Sequence, residues 1–344
     1  MAYTTINKST EHFNTKTYTG NGSTQAITGL GFQPDFVWTK PRVLGGHFLS
    51  DSIRGGTQIL QSGETNAEAT RSNHIQSFDT DGYTLGADGT SNSNGDATVS
   101  WNWLASNTTA SNTDGSINST VSVNTTAGFS IVKFTGTGAN GTVGHGLNAV
   151  PKFIFGKNRY SATSAWPVYS SVLGGTKYLN INTSSGEGTY SGYWNNTDPT
   201  SSVISLGSHG DVNTDGHSHI YYCFAEKQGF SKFGYFVGNG NNDGTFVYTG
   251  FKPSFILLKN TSVSSSWLIN DNKRPGYNAN SQTLVPNNNE AENTGTDRTD
   301  FLSNGFKLRV GASTAWNGNG NTIIYMAFAE APLVGSNNIP CTAR

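Results

Sequence analysis

The sequence predicts an all-β protein made of three tandem homologous β-sandwich units of jelly-roll or lectin-like type. Three observations predict it. Apolar residues fall in short, strand-length runs with period-two alternation, separated by Gly, Asn and Asp clusters. No segment sustains the 3.6-residue period of a helix. One ordered set of features also occurs three times along the chain, the mark of internal repetition.

The repeated set can be followed in order. An aromatic strand end runs into a glycine turn at Tyr18-Thr-Gly-Asn-Gly22, Phe134-Thr-Gly-Thr-Gly138 and Phe236-Val-Gly-Asn-Gly240. Asn-Gly is the strongest short turn signal, so Gly20-Asn-Gly22 and Gly238-Asn-Gly240 read as hairpins. A Pro-led strand ending in lysine follows: Pro34-Asp-Phe-Val-Trp-Thr-Lys40, Pro151-Lys-Phe-Ile-Phe-Gly-Lys157 and Pro253-Ser-Phe-Ile-Leu-Leu-Lys259. Pro is tolerated at a strand's first residue. Next come an aromatic opening (Phe48, Trp166, Trp267) and a glycine turn (Gly55-Gly56, Gly174-Gly175, Pro275-Gly276). Each copy then has Gly82-Tyr-Thr-Leu85, Val203-Ile-Ser-Leu206 or Gly305-Phe-Lys-Leu308, and closes on Val99–Trp103, Ile220–Phe224 or Ile324–Phe328. In Phe129-Ser-Ile-Val-Lys-Phe134, Phe129 and Ile131 share one face, Val132 and Phe134 the other. Trp38, Trp101, Trp103, Trp166 and Trp267 occupy matched apolar positions and are expected in the core.

The predicted organisation is an N-terminal arm over 1–11, repeats over 12–106, 127–227 and 228–331, a linker over 107–126 and an extended C-terminal tail over 332–344. Val121-Ser-Val123 could add an edge strand, and Asn66–Ser72 carries at most a short helix.

Charged residues are 12% of the chain, and Lys+Arg 21 against Asp+Glu 22 leaves a net charge of −1. That balance argues against nucleic acid and anionic membrane as partners, because both need a basic surface. Apolar stretches such as Phe255–Leu258 are strand-length, so membrane insertion is not expected. The N-terminus has no basic, then apolar, leader pattern. Aromatics at 12% are too many for a disordered chain. Cys223 and Cys341 make no disulfide framework, and Cys223, inside Tyr221-Tyr-Cys-Phe224, is expected as a buried free thiol. The expectation is a protein made in a reducing host cytoplasm and built to face outside water, as virion proteins are.

The blocks Val143-Gly-His-Gly-Leu147 to Pro151-Lys-Phe-Ile154, Tyr222-Cys-Phe-Ala-Glu226, Gly305-Phe-Lys-Leu-Arg309 and Tyr325-Met-Ala-Phe-Ala-Glu-Ala-Pro332 carry a resemblance. They resemble a repeat family of tailed-phage virion surface proteins, tail-fibre-like or lectin-like, common in marine bacteriophages. The likeness spans nearly the whole chain, tail included. It implies a virion-exposed structural protein and supplies no catalytic residues.

Candidate sites are few. Asp211-Val-Asn-Thr-Asp-Gly216 offers Asp211, Asn213 and Asp215 as calcium oxygens, but the twelfth position is Tyr222 rather than a bidentate Glu, so a turn is expected. His217 and His219 share a strand face as a metal pair would, yet no third ligand repeats nearby, and surface histidines are expected. Asp51 and Arg54 recur as Asp271 and Arg274, with Ser170 and Leu173 in the middle copy; a loop salt bridge is expected, worth about 0–1 kcal/mol where exposed. Glu64, Glu68, Glu187, Glu290 and Glu292 are the glutamates available for glycoside hydrolysis, which needs a carboxyl pair with one pKa raised by burial. They sit among Asn, Thr and Gly, so no enzyme, catalytic residue or cofactor is predicted. Tyr190, Tyr193, Trp194 and Trp316 lie in polar loops and are the ligand- or partner-binding candidates.

These features lead to one expectation: a non-enzymatic structural protein of the virion surface, tail- or fibre-associated, that adheres to host glycan. The alternative is a capsid decoration or head-fibre protein bound to coat subunits. Expected partners are other virion proteins of tail or capsid, a host-surface glycan, and further copies of the chain.

Overall fold

Alternation along each long strand sends neighbouring residues into two different cores, and that division organises the protein. The computed structural model describes residues 3–295 and 298–334. A single 3-10 turn (Ser9–Glu11) precedes β1 (Phe13–Thr19), β2 (Gln25–Thr28), β3 (Phe36–Pro41), β4 (Phe48–Asp51), β5 (Gln58–Gln61), β6 (Ala69–Thr70), β7 (Ile75–Asp79), β8 (Gly82–Leu85) and β9 (Ala97–Trp103). Next come β10 (Ala110–Asn112), β11 (Ser119–Asn124), β12 (Phe129–Thr135), β13 (Gly141–Gly144), β14 (Phe153–Asn158), β15 (Pro167–Ser170), β16 (Lys177–Asn180) and β17 (Gly188–Thr189). The short helix α1 (Ser191–Trp194), β18 (Val203–Leu206), α2 (Gly210–Asn213) and β19 (Ser218–Phe224) follow. The chain ends with β20 (Ser231–Val237), β21 (Phe246–Tyr248), β22 (Phe251–Asn260), β23 (Leu268–Asp271), β24 (Thr299–Leu302), β25 (Gly305–Leu308) and β26 (Thr322–Pro332).

The protein is all-β, and its sheets are antiparallel. Three large sheets run β1-β9-β3-β4-β5-β6, β10-β11-β12-β19-β14-β15-β16-β17 and β20-β26-β22-β23. Each has a small companion: β2-β8-β7, β13-β18 and β21-β25-β24. In every large sheet the closing strand lies between the opening strand and the Pro-led strand. Trp103 thus pairs with Phe13 and Phe36, Phe224 with Phe129 and Phe153, and Phe328 with Ser231 and Phe255.

One face of each large sheet meets its small companion across a local core. Val37 packs with Ile27, Tyr83 and Leu85; Val132, Phe134 and Ile154 with Val143, Ile204 and Leu206; Ile256 and Leu258 with Val247, Phe306 and Leu308. The opposite faces converge on one common core. Phe36, Trp38, Trp101, Trp103, Phe129, Phe153, Phe155, Tyr222, Phe224, Phe255, Met326 and Phe328 all belong to it. Phe36 stacks on Tyr222 at 4.2 Å, and Trp103 meets Phe255 and Phe328 edge-on at 5.9 and 5.7 Å. Such aromatic pairs add about 0.5–1.5 kcal/mol beyond the area they bury. The five expected core tryptophans are all buried, and Cys223 is a buried free thiol.

Several local expectations differ. The stretch expected as a linker, 107–126, carries β10 and β11, and β11 pairs along its length with β12. Its Val121-Ser-Val123 alternation buries Val121 against Val143 and Ile154, which is why the stretch joins the sheet. Asn66–Ser72 holds the strand β6 rather than a helix. The Gly-x-Gly turns are not hairpins: β1 pairs with β9 and β2 with β8, so the chain crosses between layers there. Glycine is required for close approach at this point. A Cβ on Gly20 would lie 2.2 Å from the Ser93 carbonyl oxygen, and the matched Gly136 repeats the clash with Thr214. Described residues of the N-terminal arm dock onto the body. Ile6 enters the common core and the Tyr3 hydroxyl donates to the Gly250 carbonyl at 2.7 Å. Of the expected C-terminal tail, Pro332 ends β26, and residues 335–344, with Cys341, lie outside the described residues.

Three fully buried lysines each stand one residue before the end of β3, β14 and β22. Lys40 Nζ donates to the Pro41 and Val43 carbonyls, Lys157 to Thr65, Ser161 and Ser164, and Lys259 to Ser184 and Ser265. Burial pushes each down to about 8 from the ordinary 10.5. Between those values the unfolded chain binds more protons than the folded one, so stability increases with pH across that window. Burial holds Tyr18, Tyr221 and Tyr222 well above the ordinary 10.0, so above pH 10 the unfolded state alone loses phenolic protons and stability falls. The urea midpoint is therefore expected to climb from pH 8 toward 10, on the order of 1 kcal/mol per lysine, and then drop. A flat profile from pH 7 to 10 would show that the lysines keep ordinary affinities.

Candidate functional site

Of the four aromatic candidates, Tyr190 alone is exposed, at 50%. Tyr193, Trp194 and Trp316 are buried, which corrects their assignment as surface binders. The helix α1 turns both of its aromatic rings inward. Tyr193 stacks on Tyr178 at 3.8 Å and on His209 at 4.8 Å, and its hydroxyl donates to Asp211 Oδ2 at 2.8 Å. Trp194 packs edge-on against Tyr169 at 5.9 Å. Trp316 lies in the local core of the third small sheet, with the Arg298 guanidinium 5.7 Å from its ring. In these polar loops the flat apolar face covers the protein's own core.

The calcium candidates serve the loop. Asp211 accepts from the Ala165 amide at 2.9 Å as well as from Tyr193. Asn213 Oδ1 accepts from the Thr137 amide at 2.9 Å, while Nδ2 donates to the Ala139 carbonyl at 2.6 Å. Asp215 is exposed. The other two stretches repeat the asparagine. Asn92 accepts from the Asn21 amide at 3.0 Å and donates to Gly86, and Asn317 accepts from the Asn239 amide at 2.9 Å and donates to Asn241 and Val310. All three asparagines are fully buried and pin the Gly-x-Gly crossover. Asn213→Ala is expected to lower stability by about 1–2 kcal/mol, because it removes a fully buried amide together with its bonds to the Thr137 amide and the Ala139 carbonyl. A change in urea midpoint equivalent to under about 0.5 kcal/mol would mean that water takes over both bonds.

His219 is buried rather than on the surface. It stacks on Phe134 at 5.2 Å, its Nε2 accepts from the Thr214 amide, and burial pushes it down to about 3. His217 lies outside the strand with Nδ1 3.2 Å from Asn158 Oδ1.

The paired charges are also buried rather than looped into water. Arg54 Nε meets Asp51 Oδ2 at 2.5 Å with both side chains at 0% exposure, and Arg274 meets Asp271 at 2.6 Å likewise. Arg54 also binds Glu68 and the Leu49 carbonyl, and Arg274 binds Glu292 and the Ile269 carbonyl. Each acid takes one more donor from a different stretch: Tyr222 Oη on Asp51 at 2.8 Å, Trp101 Nε1 on Asp271 at 3.0 Å.

The loop glutamates join one stretch to the next. The Glu68 amide donates to the Arg159 carbonyl at 2.8 Å, the Glu187 amide to Thr261 at 3.0 Å, and the Glu292 amide to Arg42 at 2.8 Å. Burial would raise Glu68, but hydrogen bonds from Arg159 and the charge of Arg54 outweigh it and hold the carboxyl below its usual range. A general acid needs the opposite shift. Glu187 is paired with Lys177, and Glu292 with Arg42 and Arg274.

One cavity open to solvent, of about 640 Å³, lies beside β22 and β26. Asn272, Lys273, Pro275, Tyr277, Phe301 and the Lys252–Glu330 ion pair are in its walls. Tyr277 is 87% exposed, more than any other large apolar or aromatic residue described. The family model described as Domain of unknown function (DUF7483) matches residues 8–332. The chain belongs to the DUF7483 family. The DUF7483 match takes in every described strand and all of the Tyr277 cavity. No curated protein and no solved structure matches the chain. Sequence reasoning missed Tyr277 inside this DUF7483 region, although a signal was present. Thr follows the turn at Gly56-Thr57 and Gly175-Thr176, whereas the third stretch has Gly276-Tyr277.

Proposed function

We propose that the chain is three copies of one two-layer β module, closed about a pseudo-threefold axis, and that it is a non-enzymatic surface component of a tailed-phage virion. Three observations support the copies: the recurring strand order, the three buried asparagines and the three glutamate-amide joints. The amides donate from the first stretch to the second, the second to the third and the third to the first, so the series closes on itself. Within this reading the chain is tail- or fibre-associated and adheres to host glycan. The observation that carries adhesion is the open cavity with the exposed Tyr277, an apolar ring presented to water where the matched positions hold threonine. Burial and ion pairing of Glu68 and Glu292 favour a binding role over hydrolysis.

The test is a reconstruction of the virion that carries the chain, together with binding of the purified protein to host cells. Density at the tail and saturable adhesion are expected. Density on capsid faces without adhesion would overturn this reading in favour of capsid decoration.

A further inference from the structure

We propose that the Tyr277 cavity is a saccharide site and that it takes an acidic sugar. The inference rests on the adhesion reading above and names the ligand class of that site. Its argument begins with what the third stretch changes. The amides of Ser52, Ser171 and Asn272 make the same backbone bond, to the carbonyls of Asp35, Lys152 and Ser254. The three loops therefore begin in the same register, and their sequences can be compared position by position from there. The first reads Ser52-Ile53, the second Ser171-Val172, and the third Asn272-Lys273. Ile53 and Val172 pack against the common core, whereas Lys273 is exposed. Beyond the turn, Thr57 and Thr176 are matched by Tyr277. All three departures line one cavity.

Each departure exchanges a scaffold group for a recognition group. Tyr277 offers a flat face on which the C–H side of a pyranose stacks, and its hydroxyl remains wet. Lys273 is a cation that forms no ion pair with a described residue, so a carboxylate gains from meeting it. Asn272 Oδ1 has no donor from the protein. A sugar hydroxyl that draws this amide outward makes a bond the free protein lacks. The Lys252–Glu330 pair, which lines the same cavity, supplies a further donor and acceptor. A cavity of about 640 Å³ has room for a few sugar rings.

The experiment measures binding of oligogalacturonate, oligomannuronate and neutral maltotriose to the full chain by calorimetry and saturation-transfer NMR. An acidic oligosaccharide is expected to bind at least tenfold tighter than maltotriose. Tyr277→Ala is expected to weaken it tenfold or more, and Lys273→Gln to abolish the acid preference and its salt dependence. Both residues are exposed, so the variants keep the fold, which circular dichroism checks. Equal affinity for acidic and neutral probes, no binding of either acidic probe, or unchanged affinity in Tyr277→Ala overturns the proposal. Cell adhesion undiminished by Tyr277→Ala and by competing oligogalacturonate overturns this site and leaves the adhesion reading standing. Saccharide binding without cell adhesion overturns the adhesion reading and leaves the site.

Discussion

Arg54→Leu is expected to lower stability by about 3–5 kcal/mol, and Asp51→Ser/Arg54→Leu combined with Tyr222→Met to recover most of that loss. The single change leaves Asp51 at 0% exposure with no counter-charge and takes one of two arginines from Glu68. An uncompensated buried charge is far costlier than a buried apolar group of the same size. The recovery follows from the chain's own middle stretch. There the Asp and Arg positions hold Ser170 and Leu173, and Leu173 packs against the common core. The closing-strand residue whose register matches Trp101 and Tyr222 is Met326 on β26. Where that residue is a donor, as in Trp101 and Tyr222, it meets an acid held by an arginine. Met326 has no N–H or O–H to place, and no charge pair is needed. Urea denaturation of the single and triple variants decides the matter. A triple variant no better than Arg54→Leu would show that the two packings are not interchangeable.

That arrangement was half legible in the sequence. The matched residues Asp51, Arg54, Asp271 and Arg274, and their loss at 170 and 173, can be read directly. Their burial cannot, because it depends on which stretch covers which. Period-two alternation separates the faces of a strand but does not say that both faces are covered. Phe129 and Ile131 were therefore separable from Val132 and Phe134, while the common core they enter was not. The aromatic loop residues failed for a related reason. Tyr193 and Trp194 sit among Gly, Ser and Asn, so composition suggests water, yet one turn of helix rotates both rings onto β16 and β18 neighbours. Tyr277 carries the opposite lesson. Its exposure coincides with a departure from the Gly-Thr sequence that ends the similar turns at 56–57 and 175–176.

The common core makes a second large prediction. Phe36→Ala is expected to cost about 3–5 kcal/mol and to lower one thermal transition for the whole chain, not one of three. Phe36 is fully buried and touches rings from two stretches: Trp103 at 5.1 Å within its own, and Tyr222, Phe129 and Phe155 in the next. Removing it opens a void bounded by both. A module whose large sheet is buried on both faces has no folded state to fall back on when one face is exposed, since that face consists of Phe, Trp and Tyr. Unfolding one stretch strips cover from the other two, and the remaining pair should melt with it. Differential scanning calorimetry distinguishes the outcomes. Three resolved transitions, with only the first shifted by Phe36→Ala, would mean that each two-layer unit stands alone and that the shared aromatic core is mere contact between finished domains.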